Sequence, residues 1–105
     1  FEADAYADYV KALGDPAVIH AMCEDYRAGA RYDVAADEAD RGVRKITAPL
    51  QVLWGSKGAV GAWYDPLAIW RDWAGDVTGQ AIDAGHFIPE ERPAETLAAL
   101  RAFFL

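Results

Sequence analysis

A chain of 105 residues, 53% of them hydrophobic, supports one compact domain at most. A net charge of −7 and a pI near 4.6 exclude a nucleic-acid surface, since a phosphate backbone selects clustered Lys and Arg. One cysteine excludes an internal disulfide, two histidines with no close His/Cys spacing argue against a structural zinc, and neither a membrane-length apolar run nor a signal peptide is read. The expected setting is reducing and cytoplasmic, with no metal, no cofactor and no membrane. Because the chain starts at Phe1 and apolar residues at helical spacing begin near Tyr6 and reach Leu105, a piece of a longer protein is expected.

Tyr6, Tyr9, Val10 and Leu13 fall on one helical face, with Gly14 behind them as a stop. Asp15-Pro16 reads as N-cap and first helical residue of a second helix, in which Val18, Met22 and Tyr26 form one stripe, Ile19 and Cys23 lie beside it, and Gly29 ends the run. Residues 31 to 45 are acidic and carry little apolar periodicity, which predicts a solvated connection containing at most a short helix.

The pattern then changes. "LQVLWG", entered from Pro49 and left at Gly55, has the form of a buried strand. Asp65-Pro66 opens a helix with Leu67, Trp70 and Trp73 or Ala74 inward and Gly75 as its stop, and "GQAIDAG" (79 to 85) is a second strand. Pro93 and Glu95 open a last helix whose Leu97, Leu100, Phe103 and Phe104 are expected to pack. Strand, helix, strand, helix implies two parallel strands with a right-handed crossover, the closing edge of a larger α/β sheet.

In open parallel sheets, catalytic groups sit on loops leaving the carboxyl ends of strands, and His86 follows the second strand there. From position alone, a capping or backbone-bonding histidine is equally open. His20 sits inside a helix with no acid or nucleophile at a diagnostic spacing and reads as structural. Trp54, Trp70 and Trp73 read as core, Cys23 as a buried thiol, and Trp63 and Tyr64 as a loop that borders a pocket. Glu90 and Glu91 read as negative charge at the positive end of the last helix, and Asp65 as a cap.

The blocks "CEDYRAGARYD" (23 to 33), "LWGSKG" (53 to 58), "PLAIWRDWAGDVTG" (66 to 79) and "GHFIPEERPAETLAALRAFF" (85 to 104) together resemble the haloacetate dehalogenases of the α/β-hydrolase superfamily, the fluoroacetate-cleaving group above all. Gly-His-Phe alone would also admit esterases and epoxide hydrolases. The resemblance implies an α/β class chain: residues 46–105 as the C-terminal part of the core, with its last two parallel strands and flanking helices, and residues 1–45 as the end of the helical cap and a connection. It implies that an aspartate displaces halide from a short 2-haloacid, and that His86 then activates the water that hydrolyses the enzyme-bound ester. It also implies that Tyr26 donates its hydroxyl to the leaving halide, a directed donor without added charge.

The chain departs from the wider superfamily at "WGSKG", where Gly58 stands in place of an acid; in the haloacetate group that acid follows an earlier strand. No G-x-D-x-G or G-x-S-x-G elbow occurs. The nucleophile and acid are therefore expected upstream, and the chain alone is expected to be inactive. The full-length protein is left open between monomer and homodimer. Two readings compete: an epoxide hydrolase or esterase with His86 unchanged in role, and a non-catalytic interaction module whose partner completes the sheet.

Overall fold

The computed structural model describes residues 1–105, which fall into two units, Phe1–Val43 and Arg44–Leu105. The first unit is helical: α1 (Ala3–Leu13), α2 (Pro16–Gly29) and α3 (Tyr32–Asp40). Asp15 caps α2 by accepting the Ala17 N–H at 2.8 Å, with Pro16 in the first helical position where its missing N–H costs nothing. α1 packs on α2 and α2 on α3. Residues 32 to 40 form the short helix that the connection was expected to hold, with Ala35, Ala36, Glu38 and Ala39 supplying helical propensity, and residues 32 to 39 are exposed.

The expected packing stripe of α2 is uncovered within this unit. Val18 is half-buried, but Met22 is 48% and Tyr26 80% exposed, and Cys23 is exposed rather than a buried thiol. Three short helices cannot enclose an apolar face from both sides, so the stripe stays open.

The second unit begins where Ile46 bridges Ala74, its N–H donating to the Trp73 carbonyl at 2.8 Å. β1 (Leu50–Gly55) and β2 (Val77–Ile82) pair in parallel, Leu50 opposite Val77 and Gly55 opposite Ile82. Between them lie α4 (Ala59–Trp63) and α5 (Pro66–Trp73), and after β2 come α6 (Ile88–Glu91) and α7 (Pro93–Phe104). Asp65 caps α5 through the Ala68 N–H at 3.0 Å. β2 starts at Val77, two residues ahead of the predicted strand, because its ladder with β1 begins at Leu50.

The core of this unit is built around Ile82 and smaller residues: Ala74, Ile82, Ala84, Thr96 and Ala99 are buried. α7 turns Thr96 and Ala99 inward, and Ala99 offers its carbonyl to the Gln51 amide at 3.1 Å. Leu97, Leu100 and Phe104, expected on the packing face, point outward and are 48%, 39% and 72% exposed. Phe103, the fourth residue expected to pack, is half-buried and lies on the same face as Thr96 and Ala99. Trp63 and Tyr64 are 75% and 58% exposed, Trp63 at the end of α4 rather than on a loop. No helix is long and apolar enough to cross a membrane.

Candidate active site around His86

His86 sits in the bend that follows β2, at the carboxyl end of the sheet. It lines a cavity of about 270 Å³ together with Val52, Trp54, Gly55, Trp70 and Ile88. Its imidazole meets the Phe87 ring edge-on, with centroids 5.1 Å apart. Trp54 is half-buried and Trp70 40% exposed, so both form a wall of the cavity instead of a closed core. Their outward faces are open because the sheet has two strands and no further layer at this end.

Two glycines let the strand ends meet. A Cβ on Gly55 would lie 1.7 Å from the Gly85 carbonyl oxygen, so only a bare backbone can pass under the loop that carries His86. One on Gly61 would lie 3.0 Å from the Trp54 indole, which fixes how closely α4 covers that ring. The chain after β1 then runs along the loop after β2: the Ser56 N–H donates to the Ile82 carbonyl at 2.8 Å and the Lys57 N–H to the Ala84 carbonyl at 2.9 Å.

Charges secure the same loop. Lys57 Nζ lies 2.9 Å from Asp83 Oδ1 and Arg92 Nη2 lies 3.8 Å from Asp83 Oδ2, while Arg92 Nε approaches Glu95 at 3.9 Å. The Lys57 hydrogen bond and charge hold the Asp83 carboxyl below its usual range. These groups are solvent-exposed, so their worth lies in orientation more than in stability.

Glu91 bonds to the backbone of the histidine loop. It was expected to favour the start of the last helix; instead its carboxylate turns back and accepts the Gly85 N–H at 2.7 Å and the Phe87 N–H at 3.1 Å. Those two amides flank His86. The Glu91 N–H in turn donates to the Phe87 carbonyl at 2.9 Å, so Glu91 meets Phe87 through both its side chain and its backbone. The reversal is set by Pro93, which drives Arg92 out of helical geometry to φ −141°, ψ 62° and separates α6 from α7. The Thr96 hydroxyl closes the joint, lying 2.8 Å from the Arg92 carbonyl and 3.1 Å from that of Ile88. The two backbone hydrogen bonds lower the Glu91 pKa from its ordinary value. A signal was present in the sequence: an acid one helical turn beyond the histidine loop, immediately ahead of an X-Pro break.

Gly58, where an acid would stand in much of the superfamily, lines the cavity without a side chain. Three acids near the site in sequence are engaged with other groups: Asp65 with the Ala68 N–H, Asp83 with Lys57, and Glu91 with the backbone. Tyr26 belongs to the first unit, on the open face of α2 that it shares with Ile19, Met22, Cys23 and Arg27. His20 is exposed on the same helix.

The chain is similar to a fluoroacetate dehalogenase from Burkholderia sp, 32% identical over 98% of this chain and 34% of that protein. It is also similar to a soluble epoxide hydrolase from Corynebacterium sp. (strain C12), 30% identical over 99% of this chain and 35% of that protein. A solved structure from Nostoc sp PCC 7120, provisionally named an alpha/beta hydrolase, matches at 51% identity with a TM-score of 0.92, covering 98% of this chain and 35% of that one. No family model matches. The chain thus spans about a third of the length of the curated relatives it matches. It has the fold of the C-terminal part of an α/β hydrolase, with the last two parallel strands of the sheet and the helices that flank them.

Proposed function

We propose that this chain is the last third of a hydrolytic dehalogenase acting on short 2-haloacids, with residues 1–45 ending its cap and residues 46–105 ending its core. In this reading a carboxylate upstream forms an ester with the substrate carbon as halide leaves. His86 then takes a proton from water, which attacks the ester and frees the hydroxy acid. Tyr26 donates its hydroxyl to the departing halide. The observation that carries the reading is His86 at the end of the terminal strand, lining a cavity walled by Trp54 and Trp70. A fluoroacetate dehalogenase among the relatives supports the substrate class.

The relative named as an epoxide hydrolase favours a second reading with His86 in the same role and a different electrophile. Tyr26 separates the two. In the full-length protein, Tyr26→Phe is expected to slow fluoride release from fluoroacetate by roughly ten- to a hundredfold, the worth of one hydrogen bond to a developing anion, and bromide release less. The measurement is halide release across a series of haloacetates, with an epoxide and an ester run beside it. Turnover of the epoxide alone, or an equal effect of Tyr26→Phe on every halide, would displace the dehalogenase reading.

A further inference from the structure

We infer that Glu91 is a positioning residue for His86, its carboxylate gripping the backbone on both sides of the imidazole and fixing where the ring points. The inference rests on the proposed role of His86 as the base that activates water.

The geometry is specific. One carboxylate takes two N–H groups, those of Gly85 and Phe87, at 2.7 and 3.1 Å, so the residue between them is held at both ends by a single rigid group. Gly85 is part of the device: a Cβ there would lie 2.9 Å from Glu91 Oε1, so a side chain at position 85 would push the carboxylate off its seat. Glu91 is itself supported, since its N–H returns to the Phe87 carbonyl and its own carbonyl accepts from Arg92 Nη1 at 3.0 Å. Arg92 in turn reaches Asp83, the residue that leads into the loop. The loop is therefore tied to α6 through hydrogen bonds to its backbone, which leaves the imidazole unencumbered by the group that orients it. General-base catalysis depends on this kind of placement, because an error of about 1 Å costs on the order of a hundredfold in rate.

The chemistry predicts which variant fails and at which step. Glutamine at position 91 keeps one acceptor oxygen but presents an NH₂ to the second amide, so one grip is lost with size unchanged. Aspartate keeps both oxygens on a shorter arm. Halide release in the first turnover needs no histidine base, whereas hydrolysis of the ester does.

The test is pre-steady-state kinetics on the full-length protein with Glu91→Gln and Glu91→Asp. The expected result for Glu91→Gln is a first-turnover halide burst within about twofold of the parent, ester hydrolysis slowed roughly ten- to a hundredfold, and partial recovery in Glu91→Asp. Unchanged ester hydrolysis, or equal loss in both steps, would overturn the inference. Amide exchange at Gly85 and Phe87 and the imidazole NMR signals of His86 give a readout independent of substrate. Faster exchange and a shifted His86 signal in Glu91→Gln support the grip even if haloacids prove not to be substrates; unchanged exchange and signals refute it.

Discussion

Gly55 has the tightest steric requirement in the second unit, and its replacement tests how the site is assembled. A methyl group would lie 1.7 Å from the Gly85 carbonyl oxygen and 2.6 Å from that of Ala84, both backbone atoms that cannot rotate away. Gly55→Ala is expected to destabilise the protein by about 3 kcal/mol or more, the upper end of overpacking costs, read as a lower denaturant midpoint at unchanged slope. A variant as stable as the parent would mean that the strand ends are not packed as described. Residue roles were unevenly legible in the sequence. Asp15 and Asp65 stood out as caps because each precedes a proline that can only begin a helix, and both cap as expected. Glu91 is marked only by its place ahead of the Arg92-Pro93 break, because its partners are backbone N–H groups, which every residue but proline carries.

At the scale of elements, β1, β2 and α6 are joined through carboxylates whose pKa values are lowered: Asp83 by Lys57 first and Arg92 second, Glu91 by the Gly85 and Phe87 amides, with Arg92 and Lys57 adding to the effect. A carboxyl depressed in the folded state adds stability that is present above its unfolded pKa and fades as pH falls through the folded value. The joint is therefore expected to hold at neutral pH, to begin loosening below the unfolded carboxylate values of about 4, and to be lost only below the depressed folded ones. Amide exchange at Gly85 and Phe87 followed from pH 6 downward measures this; flat protection through that range would contradict it. Element boundaries were clearest where punctuation is strong: β1 runs from Leu50 to Gly55 and α2 from Pro16 to Gly29, as the sequence implies. α3, nine residues with none buried, is the short helix of a solvated connection, and its bounds were not legible because it has no apolar stripe. In α7 the buried positions are Thr96 and Ala99, and of the four apolar residues expected to pack only Phe103 is half-buried while Leu97, Leu100 and Phe104 are exposed.

For the molecule as a whole, the order strand, helix, strand, helix was enough to read a parallel pair at the end of a larger sheet, and the two strands do pair in parallel. The position of His86 followed from that order, because open α/β sheets present their chemistry at the carboxyl ends of strands. What no local pattern could supply was the surrounding wall: Trp54 and Trp70 looked like core until the cavity placed them beside His86. The proposed function depends on His86 as the base that hydrolyses the ester. The most direct measurement is mass spectrometry with single-turnover halide release on full-length His86→Asn given a haloacetate. The expected result is about one halide per protein, a stable carboxymethyl ester on the protein and turnover reduced on the order of a hundred- to ten-thousandfold. Sustained release at the parent rate with no ester on the protein would contradict it.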